Sequence, residues 1–150
     1  MFRRLTHPTF WLAAGPMIVT LLSASLPRLP FGPLRALGVP LMFAGVGGRL
    51  YCTGFLLRSG SSPDPEQPPD RLTKDGPYAV SRNPMLVSDL VLLAGATLAT
   101  TSPLLAAYTA AVFSALNRYI RQVEELALRE LFGAEYDDYA ARTARWLRNI

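Results

Sequence analysis

Four apolar blocks separated by short polar stretches set the pattern of this chain. The first runs from about Thr9 to Leu26 without a charge. At about 1.5 Å per residue a helix of that length reaches roughly 27 Å, close to the hydrocarbon thickness of a bilayer. The second block covers about 35–57, the third about 84–100 and the fourth about 103–120. Only Thr101 and Ser102 separate the last two, which predicts a tight antiparallel helical hairpin. Between the second and third blocks, 58–83 is polar, and its Ser/Pro-rich centre at 59–69 has little to bury, which predicts an extended or partly disordered loop. After the fourth block, 121–148 carries helix formers and charges at helical spacing, with Gly133 as a C-terminal cap and Ala134 to Leu147 as a second short helix. The predicted fold is all-α. It is a polytopic integral membrane protein with four transmembrane helices and a short C-terminal cytoplasmic or interfacial helix, and 150 residues make it one domain.

Composition agrees: half of the residues are hydrophobic and 17% are charged. Four spans would put both termini and the long loop on one side. That side would hold twelve of the fifteen Lys and Arg, against Arg28 and Arg35 on the other, with Arg49 in the membrane. The positive-inside rule makes the twelve-charge side cytoplasmic, in a multi-pass protein of a bacterial inner membrane. This placement explains the net charge of +4 without nucleic acid. Arg3 and Arg4 before the first block, with Ser23-Ala24-Ser25 near its end, also imitate a signal peptide. The three further apolar blocks and the charge asymmetry favour a retained span. Cys52 is the single cysteine and His7 the single histidine, so no disulfide or zinc site is expected.

Within the second block, Ala44 and Gly48 form a small-xxx-small pair to which Gly45 and Gly47 add, a face that lets another helix approach. Arg49 follows it, deep enough that its charge needs a partner, a wet cavity, a bound anion or a snorkelling route to the surface. Asp89, about one and a half turns into the third block, is the corresponding acid. The two are either a helix–helix pair or candidate catalytic residues. Asp75-Gly76-Pro77 is turn chemistry, and Arg82-Asn83-Pro84 opens the third helix. Pro suits the first helical turn, and Asn83 suits the cap before it. That helix end favours an anion, or it is simply a capped end beside an interfacial Arg. In Asn117–Glu125, helical spacing puts Asn117, Arg121 and Glu124 on one face and Arg118, Gln122 and Glu125 on the next. An ordinary ion-paired helix explains this spacing, and so does the anionic side of a site facing Arg82 across the hairpin. Tyr136, Tyr139 and Trp146 suit a membrane interface.

Two motifs in order around one hairpin carry a family resemblance. The first is Asp75-Gly76-Pro77-Tyr78 with Ser81-Arg82-Asn83-Pro84-Met85. The second is Glu124-Glu125-Leu126, continuing through Leu131-Phe132-Gly133-Ala134-Glu135-Tyr136 and Tyr139 to Arg145-Trp146-Leu147. Together they resemble the isoprenylcysteine carboxyl methyltransferase and phospholipid methyltransferase group of integral membrane enzymes. The resemblance covers roughly Leu72 to Leu147. It implies S-adenosylmethionine as cofactor, bound by Tyr78, Arg82, Asn83, Pro84, Glu124 and Glu125, and no metal. It implies methyl transfer to a lipophilic acceptor, a prenylcysteine-like carboxylate, a lipid amine or another small amphiphile, at the cytoplasmic membrane face. Leu86 and Ser88 depart from the Tyr and Gly usual there, which leaves the acceptor open. The alternatives are a non-catalytic membrane protein that keeps the fold for binding or assembly, and a membrane reductase of related C-terminal architecture.

Overall fold

The computed structural model describes residues 15–16, 18–22, 27–30, 32–61 and 71–147, and every regular element among them is helical. Most of the first expected span at 9–26 lies outside the described residues, as do 62–70 and 148–150. Residues 15–16 and 18–22 of that span are helical, and Gly15 lies against the Tyr108 ring. A 3-10 turn over Gly32–Leu37 leads into α1, Gly38–Arg58. Gly32–Arg58 is the one described stretch long and apolar enough to cross a membrane. Only 17% of its apolar window is buried within the protein, and Phe43 and Leu50 are 74% and 67% exposed. In water such a face would be a large uncovered apolar patch.

The single turn α2, Pro77–Val80, precedes α3, Pro84–Thr100. Thr101 then reverses the chain in a left-handed conformation (φ 53°). Ser102 caps α4, Pro103–Tyr119, by accepting from the Leu105 N–H at 3.1 Å. The hairpin therefore turns on the two residues that the pattern predicts. A π-helical turn, Ile120–Glu124, joins α4 to α5, Glu125–Phe132, and Gly133 (φ 52°, ψ −128°) separates α5 from α6, Ala134–Arg142. Helix α6 ends earlier than Leu147. Thr143 is extended, and the chain turns back toward the start of α3.

Helix α1 packs along α3 by backbone approach. A Cβ on Gly45 would lie 2.6 Å from the Leu92 nitrogen, and one on Gly95 would lie 2.7 Å from the Gly38 carbonyl oxygen. Of the expected small residues, Gly45 and Gly48 make the close contact, joined by Gly38, whereas Ala44 is exposed and Gly47 has nothing within 4 Å of an added Cβ. On its other side α3 meets α4 through Leu93, Val112 and Leu116, with Leu86, Tyr108 and Trp146 against them. Ser88, Thr97, Thr100, Thr109 and Ser114 each donate to the carbonyl four residues back at 2.8–2.9 Å. The hydroxyls along the hairpin therefore satisfy themselves within their own helices.

Candidate functional site

The motif from Asp75 to Met85 is held in place before any side chain reaches the site. Gly76 has φ 58° and ψ −128°, a conformation that L residues rarely adopt. It also packs on α1, where a Cβ would meet the Phe55 ring at 2.5 Å. One turn of helix then presents Tyr78, whose carbonyl accepts from the Tyr139 hydroxyl at 2.7 Å. Ser81 is extended and buried, and its hydroxyl accepts the Asn83 N–H at 3.1 Å. The Arg82 N–H donates to the Ala144 carbonyl at 2.9 Å. Asn83 occupies the N-cap position, but its side chain does not cap α3; its Nδ2 donates to the Arg145 carbonyl at 3.0 Å. Pro84 starts the helix and is buried. The segment after α6 is thus stitched across the Arg82-Asn83-Pro84 turn by backbone-directed hydrogen bonds.

This stitching brings three charged groups together. Arg145 grips Glu125 with two bonds, Nε to Oε1 at 2.6 Å and Nη2 to Oε2 at 2.9 Å. Arg82 Nη1 lies 3.1 Å from the same Oε1 and donates to the Tyr136 hydroxyl at 2.9 Å. The Arg82 and Glu125 side chains are only 11% and 10% exposed. Burial by itself would push the Glu125 carboxyl up. The Arg145 hydrogen bonds and the charges of Arg82, Arg145 and Arg129 outweigh it and hold the group below the usual carboxylate range. Two arginines on one carboxylate leave the cluster with one positive charge in excess. Arg82 Nε is also buried and has no hydrogen-bond partner among the described residues. A buried cation with an idle donor is costly unless something anionic completes it.

Glu124, the neighbour of Glu125, is different. It is half-buried and makes no ion pair or hydrogen bond among the described residues. Desolvation, then the Glu125 charge, raises its carboxyl above the usual range. Tyr78 is half-buried and within electrostatic reach of Glu124 and Cys52. Burial above all pushes its phenol well up, so it stays protonated and can donate. Burial likewise pushes Tyr139 up to about 12. Tyr78, Arg82, Asn83, Pro84, Glu124 and Glu125 therefore converge at one end of the helices. Asn117 and Arg121 do not join them, because the π turn breaks the α register between them and Glu124. Asn117 instead accepts from the Trp146 indole at 3.2 Å, and Arg121 is exposed.

Four residues of the site carry contacts that the pattern alone did not assign. Ser81, Tyr136 and Tyr139 are buried, and Arg145 is half-buried. Tyr136 and Tyr139 read as interfacial aromatics, yet only 1% and 5% of them is exposed, because their hydroxyls serve Arg82 and the Tyr78 carbonyl. The signal available was the run of these residues within the C-terminal motif. Arg49 and Asp89 pair with each other between α1 and α3. An open, mainly apolar groove of about 550 Å³ lies between α3 and α4, lined by residues such as Leu90, Ala94, Leu98 and Phe113, with Thr97 and Thr109 as its polar members. None of the charged residues above lines it. It offers an apolar chain a surface.

The donor set suits S-adenosylmethionine. The cationic cluster and the idle Arg82 Nε fit an amino-acid carboxylate, and the unpaired Glu124 carboxylate fits an ammonium or ribose hydroxyls. Residues 34–135 match the phospholipid methyltransferase family, 102 residues in a chain of 150. No protein of curated function matches the chain.

Proposed function

The chain belongs to the phospholipid methyltransferase family, and we propose that it transfers a methyl group from S-adenosylmethionine to a lipophilic acceptor at the cytoplasmic face of a membrane. The observation that carries this reading is the buried Arg82 guanidinium, fixed by Glu125 and Tyr136, with its Nε unpartnered among the described residues. Arg82 takes the amino-acid carboxylate. Glu124 takes the ammonium or the ribose hydroxyls, and Tyr78 supplies a phenolic donor. Asn83 and Pro84 shape the turn, and Glu125 holds Arg82 in place. Bound there, S-adenosylmethionine supplies a methyl group on a sulfonium, whose charge is neutralised as the carbon–sulfur bond breaks and the methyl passes to the acceptor. Such a transfer needs alignment of the two partners more than it needs a general base. Transfer to a carboxylate removes charge, and transfer to a neutral amine moves it from sulfur to nitrogen without creating any, so a water-poor site does not penalise either step.

The exposed apolar face of α1, the self-satisfied hydroxyls of the hairpin and the family support a bilayer as the surroundings. Four spans with both termini cytoplasmic accord with the charge asymmetry. The acceptor is an amphiphile, a prenylcysteine-like carboxylate, a lipid amine or a related compound, reaching the site from the bilayer.

The test is transfer from S-adenosylmethionine labelled in its methyl group, using purified protein and a lipid extract. Label should move into the organic phase with the parent and not with Arg82→Ala. Cofactor binding without any transfer would favour a non-catalytic binding protein. Absence of cofactor binding by folded parent would overturn the reading.

A further inference from the structure

We propose that Arg49, held by Asp89, binds the anionic oxygen group of the amphiphilic acceptor and sets which head groups are methylated; this rests on the reading above. The part-buried ion pairs among the described residues are built differently. Arg145 uses two nitrogens on both oxygens of Glu125, and Arg82 adds Nη1 to the same carboxylate, so that acid is fully engaged. Arg49 uses Nη1 alone, on Asp89 Oδ2. Its Nε and Nη2, and the second Asp89 oxygen, have no partner among the described residues. The Asp89 side chain is 15% exposed and the Arg49 side chain 39%. Asp89 is thus the more buried partner and Arg49 the more open one, with guanidinium donors to spare.

Depth gives those spare donors their significance. Arg49 lies nine residues before the end of α1 at Arg58, about 14 Å along the axis. Asp89 lies five residues into α3, about 8 Å. In a bilayer, guanidinium N–H groups at that level are poorly supplied with water and are stabilised by an anion. Arg49 is also connected to the site. Cys52, one turn further along α1, is buried, and a turn beyond it the Phe55 ring packs on Gly76, two residues before Tyr78. Tyr78 is itself within electrostatic reach of both Arg49 and Glu124. An amphiphile whose anionic oxygens sit on Arg49 then has the rest of its head group toward Tyr78 and the site. Phosphodiester and carboxylate share that chemistry, and the guanidinium edge matches either.

The experiment measures binding to purified protein in neutral maltoside detergent. The probes are dodecyl phosphate, dodecanoate and dodecanol, and S-adenosylmethionine binding is measured on every sample. The parent should bind at least one anionic probe tenfold or more tightly than dodecanol. Preference for dodecyl phosphate points to a phospholipid head group, and preference for dodecanoate points to a carboxyl acceptor. Arg49→Gln with Asp89→Asn removes both charges at nearly constant shape. It should bind S-adenosylmethionine like the parent and lose the anionic preference. Arg49→Lys, which keeps the charge without the planar fork, should retain the preference several-fold weakened. A parent that does not distinguish the anions from dodecanol overturns the proposal without any variant. So does a neutral double variant that keeps the preference. Loss of S-adenosylmethionine binding in the parent would instead strike the methyl-transfer reading.

Discussion

Glu124 and Glu125 are adjacent and chemically identical, and their surroundings separate them. Glu125 is buried between two arginines, so Glu125→Gln leaves those cations without their shared anion. Breaking a buried pair in this way costs about 3–5 kcal/mol. We expect a clear drop in thermal unfolding temperature in detergent, accompanied by weaker cofactor binding because Arg82 is released. Glu124 has no partner to lose among the described residues. Glu124→Gln should keep or slightly raise stability while lowering S-adenosylmethionine affinity about tenfold, the scale of a hydrogen bond to a charged group; calorimetry and unfolding on the same samples separate the two effects. Acidity divides them as well. Folding lowers the Glu125 carboxyl, so its contribution is present above the unfolded value of about 4.3 and is lost as pH falls through the lower folded value. Folding raises Glu124, so the fold gains from this group as pH falls through its raised value, while the carboxylate that the ligand needs disappears. Cofactor affinity should therefore weaken on acidification before the fold does. In Glu124→Gln the same interval should be flat. Parallel curves for parent and variant would detach Glu124 from the site.

Among the elements, α1 and α3 make the tightest contact because glycines face each other's backbone. Gly45→Ala would set a Cβ 2.6 Å from the Leu92 nitrogen and force the helices apart. Overpacking of that kind costs about 1–3 kcal/mol. Gly47, two residues on, has nothing within 4 Å of an added Cβ, so Gly47→Ala should be neutral or mildly stabilising. Equal unfolding temperatures for the two variants would contradict this packing. The π turn at Ile120–Glu124 belongs to the same scale. One extra residue in that turn rotates everything after it, and this rotation, rather than heptad-like spacing, directs Glu125 to Arg145.

For the whole molecule, the charge distribution makes a prediction about orientation. Twelve Lys and Arg against two predict that reporter fusions after Ser61 and at the C-terminus report the cytoplasm, and that fusions at Leu29 and Ser102 report the opposite side. A periplasmic signal after Ser61 would refute four spans with cytoplasmic termini. The Leu29 N–H donates to the Thr101 carbonyl at 2.8 Å, and Arg28 reaches the Thr100 carbonyl at 3.3 Å. The connection before α1 and the tip of the hairpin thus lie at one end of the bundle, opposite Arg82 and Glu125.

The amino-acid order by itself determined the helical class, the bounds of α3 and α4 and the two-residue hairpin. Unbroken apolar runs, Pro at first turns and a Thr-Ser break are local signals, and each acts within a few residues. It also held both site motifs, because they are contiguous strings. Tertiary structure alone decided how the strings meet. The return of the chain after Arg142 brings the Arg145 carbonyl to Asn83, so a residue suited to capping is used for stitching instead. Tyr136 and Tyr139 turn inward because two partners 54 and 61 residues away accept or offer hydrogen bonds there, and no periodicity records that. Arg49 and Asp89, left open between pairing and lining a site, do pair, 40 residues apart. Whether a charge in an apolar run is paired or free depends on which helix lies beside it, and that is a property of packing rather than of spacing.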